Sequence, residues 1–434
     1  MISILHWIRR NRRASVVFAV TILMLFQLAL WRMDGEIWDT KPTFMGTPDL
    51  PGPNPVLATS NFTPPFHTEG RQIRDATGTP IKLTSINWYG ASDIDYVPGG
   101  LDVRHRDDIA RLIWDLGFNS VRLPYADEIV VRNPVIEPGI IAANQDLLGQ
   151  LSRQGEPLRA LDVFWAIVES LTAAGLLVIV NNHITQATWC CGANPCDLSW
   201  QNDWFGADLI CSVRQSEEDW IQHWETVMAP LAGNPRVMGA DLRNEVRGLW
   251  GTMHWERWAL AAENAGERLL ALNPNWLMFV EGISSANDLS GVQRRPVQLS
   301  VPSRVVYSAH VYQWSGWGNL RPFSGRSYAD FAVTMWKNWG YLLAEEIAPV
   351  WVGEIGTPDH DDEPSDGDRN YWRHLVQFLA ETDVSWGYWA LNARKATGEW
   401  ESYGLVGESW DWKSVRWDDR LVDLHRLGRE ERLA

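Results

Sequence analysis

The chain has 434 residues, enough for one large domain with a tail or for two domains, and its 45% hydrophobic and 21% charged residues are those of an ordinary globular protein. A formal net charge of −16 argues against nucleic acid or an anionic membrane surface as the main partner and is compatible with a neutral ligand. The unusual count is 27 Trp. Each buried indole N–H needs a partner, so most of these rings are expected in the core and the excess in a cleft that receives flat ligand faces.

Positions 14 to 31 carry no charged residue and include VVFAV and ILMLF. A helix of that length reaches about 27 Å, close to the hydrocarbon thickness of a bilayer. Arg9, Arg10, Arg12 and Arg13 precede it and place residues 1–13 in the cytoplasm. The reading is a basic tail (1–13), a transmembrane signal-anchor (14–31), a Pro-rich stalk (32–66) and an extracellular or luminal domain (67–434), with secretion after signal cleavage as the alternative. Four cysteines, Cys190, Cys191, Cys196 and Cys211, fall in one short stretch. On the non-cytoplasmic side they predict two disulfides, and the pairing that joins the adjacent residues is set aside as strained. The sequon Asn61-Phe62-Thr63 fits export.

Residues 68–83 (TEGRQIRDATGTPIKL) read as a hairpin turning near Thr77-Gly78, a lid for the bottom of a barrel. Short apolar runs then alternate with amphipathic stretches. The runs are 81–90, 120–124, 176–183, 237–245, 276–282, 305–312, 350–356 and 386–392, and helical patterns such as HRDDIARLIWDLG and RNYWRHLVQFLAETD separate them. Eight such units predict an α/β fold, a (β/α)8 TIM barrel. A doubly wound sheet is the rival topology, but it needs no polar group on nearly every strand. Here each run closes on polar or aromatic residues: Asn87 and Trp88, Arg122, His183, Asn244 and Glu245, Glu281, His310 and Tyr312, Glu354, then Trp389 and Asn392. In a parallel barrel all these ends open on one rim.

Glu245 and Glu354 are the candidate catalytic pair. A carboxyl group inside an apolar strand needs a partner or a purpose, and two on one rim are what glycosidic-bond hydrolysis requires: one to protonate the leaving oxygen, the other to attack or to activate water. Arg122 offers a fixed cation and Tyr312 a hydrogen bond to Glu354, while Glu245 has to stay protonated. Asn244 is placed to meet a sugar 2-hydroxyl, and His183 and His310 share the rim. No spacing matches a metal motif, so neither metal nor cofactor is expected.

In the order NSVRLP (119–124), NNH (181–183), RNE (243–245), SAHVY (308–312), GEIG (353–356) and GYWALN (387–392), the chain resembles glycoside hydrolase family 5, the cellulase-like retaining β-glycosidases. The resemblance implies Glu245 as acid/base and Glu354 as nucleophile, with Arg122, His183, Asn244, His310, Tyr312 and Trp389 completing the site and Trp389 lying under the sugar at the cleavage point. It also makes TWCCGANPCDLSWQNDWF (188–205) a cleft loop, with Trp189, Trp200 and Trp204 as sugar contacts. One departure is RNEVRG where the family usually has NEP. The function expected is a monomeric endo-β-1,4-glucanase acting through a glycosyl-enzyme. The alternatives are the same chemistry on mannan, β-1,3/1,6-glucan or a glycolipid, or a membrane-anchored carbohydrate-binding protein without activity.

Overall fold

A computed structural model describes residues 62–148, 157–191, 194–248, 252–315, 322–359 and 365–428. The basic tail, the apolar run 14–31, Asn61 and the stalk up to that residue lie outside them. Among the described residues no helix is long and apolar enough to cross a membrane.

A small antiparallel sheet comes first, from β1 (His67–Glu69), β2 (Gln72–Arg74) and β3 (Pro80–Ile81). Its turn forms because Asp75 accepts from the backbone N–H groups of Thr77 (2.9 Å) and Thr79 (3.0 Å), with Gly78 at a φ of +83°. Eight parallel strands then close into a barrel: β4 (Thr84–Asn87), β5 (Ser120–Ala126), β6 (Leu177–Ile184), β7 (Val237–Asp241), β8 (Leu277–Glu281), β9 (Val305–Val311), β10 (Val350–Ile355) and β11 (Ser385–Tyr388). All eight expected strands are present, and the expected lid is too. Phe62, Phe66, Ile73 and Ile81 pack with Leu177, Met238, Phe279 and Trp351 in one apolar cluster. The proposed stalk therefore ends earlier than residue 66: Phe62 and Phe66 are buried. Its Pro-rich composition concealed two core side chains.

The main helices are α1 (Arg106–Asp115), α2 (Ala160–Ala173), α3 (Glu217–Met228), α4 (Trp255–Leu272), α5 (Tyr328–Met335), α6 (Asp366–Thr382) and α7 (Asp419–Gly428). Local chemistry starts two of them. Ser216 and Ser365 accept from the third helical amide while Asp219 and Asp368 reach back, so each helix opens on a reciprocal cap. Most of the large buried side chains are Trp, and several of their indoles tie helices to strand ends. On α3, Trp220 donates to Asn182 Oδ1 (3.0 Å) and Trp224 to Leu242 O (3.0 Å); on α4, Trp258 donates to Glu281 O (2.7 Å). These three indole N–H groups are thus satisfied by the same rim that carries the polar residues.

Two disulfides form as expected, but with the pairing the sequence argument set aside: Cys190 joins Cys191, and Cys196 joins Cys211. The peptide between Cys190 and Cys191 is cis.

Candidate active site

Arg122 organises the rim. It sits on β5 with no solvent exposure, and its five N–H groups all have acceptors. Nε meets Asp241 Oδ2 at 2.7 Å. Nη1 meets Asn87 Oδ1 at 3.0 Å and Glu354 Oε1 in a short contact. Nη2 meets Asn244 Oδ1 at 2.7 Å and Glu281 Oε1 at 3.0 Å. Burial works against the charge of this guanidinium, but Asp241, Glu354 and Glu281 outweigh it and hold it protonated more firmly than a free arginine.

Glu354, on β10, accepts from Arg122 at one oxygen and from the Tyr312 hydroxyl at the other, at 2.8 Å. Burial, with the negative charge of Glu354 beside it, pushes the Tyr312 phenol well above its ordinary value, so Tyr312 stays a donor. Glu245 follows β7 and faces different partners. Its backbone has a φ of +48°, a left-handed conformation that costs a non-glycine residue about 1–3 kcal/mol. The neighbouring amides hold it there: Asn244 N donates to Asn182 O (2.9 Å) and Glu245 N to Glu281 Oε2 (2.6 Å). Burial raises the Glu245 carboxyl to about 7, against a weaker opposing pull from Arg247 and Arg122. Where the family usually has Pro, Val246 is buried, and Arg247 Nη1 ties back to Glu245 O at 2.9 Å.

His310 lies between the two glutamates, its Nδ1 3.3 Å from Glu245 Oε1 and 3.7 Å from Glu354 Oε2. Burial lowers this imidazole to about 4, more than the nearby carboxylates raise it, so the ring is neutral near pH 7. One oxygen of each glutamate and a ring nitrogen of His310 lie within 4.8 Å of one another. Such a trio can ligate a metal in principle. Here both oxygens of Glu354 are already bonded, one of them to a buried cation that would repel a second. His183 is also neutral, lowered well below its usual range by burial and then by Arg122, and its Nδ1 meets Asn181 Oδ1 at 2.9 Å.

The expected aromatic contacts lie in different environments. Trp389 lies parallel to Tyr89 (5.0 Å between centroids) and to His183 (5.4 Å). Trp189 is exposed, packs edge-on against Tyr89 and Trp389, and has Lys395 Nζ 4.3 Å from its ring centroid. Trp200 does not reach the cleft. It is fully buried against Trp220 and Trp258 and donates to Glu217, so its expected sugar contact is corrected to a core role. Trp204 is exposed, on the segment that the Cys196–Cys211 bond closes. Sequence reasoning missed Trp314, which is exposed and stacks on Tyr312 at 5.0 Å. It also missed Asp241 and Glu281 as partners of Arg122. Their signal was visible: each is an acid in a strand buried on both faces. Burial and the charge of Asp241 push the Glu281 carboxyl well upward.

Two carboxyl groups this close, one raised by burial and one bonded to an arginine, on the rim of a parallel barrel, define the chain as a glycoside hydrolase. It belongs to the cellulase family, glycosyl hydrolase family 5, whose match covers residues 74–395. An endoglucanase from Paenibacillus polymyxa is 29% identical over 380 residues, covering 84% of this chain and 86% of its own. The major extracellular endoglucanase of Xanthomonas campestris pv. campestris is 26% identical over 373 residues, covering 82% of this chain and 70% of its own. Among solved structures, an endocellulase from Pyrococcus horikoshii in complex with cellotetraose superposes with a TM-score of 0.68 at 25% identity, over 85% of this chain and 100% of its own.

Proposed function

We propose that the protein is a retaining endo-β-1,4-glucanase that works by double displacement, with Glu354 as nucleophile and Glu245 as acid/base. The observation that carries this reading is the contrast between two carboxyls whose oxygens come within 4.8 Å of each other. Glu245 is raised to about 7, and Glu354 accepts at both oxygens from groups that keep their protons. Retaining enzymes hold the two carboxyl groups close together, whereas inverting enzymes set them further apart to leave room for a water. Glu354 attacks the anomeric carbon while Glu245 gives its proton to the departing oxygen. The ester that forms neutralises the charge on Glu354, and Glu245, now ionised, takes a proton from the water that releases the sugar. Asn244, with Oδ1 fixed by Arg122, directs Nδ2 to the 2-hydroxyl. The choice of β-1,4-glucan draws on the endoglucanases and the cellotetraose-bound endocellulase to which the chain is similar.

The full-length protein is expected to cut cellopentaose and cellohexaose at internal bonds faster than manno- or laminari-oligosaccharides of equal length. Product analysis over time decides it: preferential cleavage of mannan or β-1,3-glucan chains would move the substrate and keep the chemistry, and an inert protein would leave only binding.

The raised Glu245 carboxyl predicts the shape of the pH profile. The acid must be protonated for the first step, so kcat/KM should fall as pH rises through about 7. With a dinitrophenyl leaving group, which needs no proton, that alkaline limb should vanish. If it persists unchanged with both leaving groups, Glu245 is not the acid.

A further inference from the structure

The least expected neighbour of the paired glutamates is a disulfide. The Sγ atoms of Cys190 and Cys191, joined to each other, lie 3.4 and 3.3 Å from Asn244 Nδ2. The opposite end of that amide is fixed, because Oδ1 accepts from Arg122 Nη2 at 2.7 Å and the backbone N–H is bonded to Asn182 O at 2.9 Å. A flip of the amide would set its NH2 group against the guanidinium, so the carbonyl end excludes the flipped amide, and within the remaining orientation it is the sulfurs that hold Nδ2 in place. What the disulfide adds is a place for Nδ2 to rest. Disulfide sulfur is a weak acceptor, and a hydroxyl oxygen displaces it at little cost.

The segment that carries the sulfurs is itself held. Cys190 packs on Ala126, Ile184 and Ala187. Trp189, one residue earlier, is wedged against Tyr89 and Trp389. The second disulfide is of another kind: Cys196 and Cys211 are buried with Ala207, and neither sulfur is bonded to a site residue. Cys190 and Cys191 are half-buried, within reach of a soluble thiol.

We propose that the Cys190–Cys191 disulfide is a positioning group for Asn244, holding its amide N–H where the 2-hydroxyl of the reacting sugar arrives, and that reducing it slows the hydrolase. The proposal rests on the glycosidase reading above. The reductant is a dithiol. One of its thiolates attacks a cysteine sulfur, the S–S bond breaks to give a mixed disulfide, and its second thiol closes on the first. Two electrons and two protons pass to Cys190 and Cys191, and the dithiol leaves as its own cyclic disulfide. Two separate thiols then rotate freely, and each can donate as well as accept, so Nδ2 loses its fixed resting partner.

The test compares two aryl β-cellobiosides, one with and one without the 2-hydroxyl on the reacting glucose. In the Cys190→Ala/Cys191→Ala variant, kcat for the hydroxylated substrate should fall by about tenfold with KM little changed, because contacts to the 2-hydroxyl strengthen in the transition state. For the 2-deoxy substrate, kcat should stay within about twofold of wild type, since the contact being positioned is missing. An equal loss on both substrates would reveal a general structural role and overturn the proposal, as would wild-type turnover of the hydroxylated one. Folded wild-type protein treated with dithiothreitol gives the same readout without refolding. The loss should appear there, reverse on reoxidation, and persist in a Cys196→Ala/Cys211→Ala background. Thiol titration showing Cys190 and Cys191 reduced with no change in rate also overturns it. A Glu354→Gln variant that still turned over either substrate would instead remove the reading beneath the proposal.

Discussion

Glu354→Gln is expected to lower turnover of an aryl β-cellobioside by roughly ten-thousandfold or more while the protein folds normally and still binds cello-oligosaccharides. The amide has nearly the volume of the carboxylate, and its oxygen can still accept from Arg122, which has four other acceptors to anchor it. What disappears is the attacking oxygen anion. Stability and turnover therefore separate in this variant, and calorimetric binding of cellotetraose beside the rate measurement shows the separation. Roles are read from the shorter variants with azide present. In Glu354→Ala, azide replaces the nucleophile and gives an α-glycosyl azide by a single inversion. In Glu245→Ala with an activated leaving group, azide attacks the glycosyl-enzyme and gives the β-anomer. If the two anomers are exchanged between the variants, the assignment of Glu245 and Glu354 is reversed.

The eight strands were legible because a barrel strand is buried on both faces, so its apolar run is continuous, and because each run ended where a polar side chain could reach the rim. That second pattern is also why Arg122, His183, Asn244, Glu245, His310, Tyr312, Glu354 and Trp389 could be assembled without coordinates. Asp241 and Glu281 escaped. Both are plain in the sequence, but the arginine they serve lies 119 and 159 residues away from them, and no periodicity carries a pairing of that range. Trp189 and Trp200 stand in one loop with the same composition around them. One is exposed beside Trp389 and the other is packed against Trp220 and Trp258, a difference made by what lies beneath each: rim aromatics under Trp189, two helices under Trp200. Phe62 and Phe66 were hidden for a similar reason: Pro-rich sequence describes a chain's stiffness and says nothing of what it is pressed against. The adjacent disulfide went against the rule that a bond between neighbouring cysteines is too strained to form.

Arg122→Ala should destabilise the fold by about 3–5 kcal/mol as well as abolish activity, because it removes the cation from a fully buried cluster. Asp241 Oδ2, Glu281 Oε1 and Glu354 Oε1 would each lose a charge-assisted bond, and Asn87 and Asn244 their donor. The direction of the pH dependence identifies the cause. Arg122 opposes the burial and the Asp241 charge that push the Glu281 carboxyl upward, so without the guanidinium that group rises further above its unfolded value and the folded variant binds more protons than its unfolded chain. Stability then falls as pH rises, and the variant should recover part of its loss between pH 8 and about pH 5. A cavity left by the missing side chain would cost the same at both. Arg122→Lys keeps one charge but cannot serve acceptors arrayed around a planar fork, so it should regain stability more than activity. Urea midpoints at the two pH values, set beside the wild type, measure this. An Arg122→Ala protein as stable as wild type would mean the cluster does not depend on this shared cation, and Glu354 would then need another source for its fixed orientation.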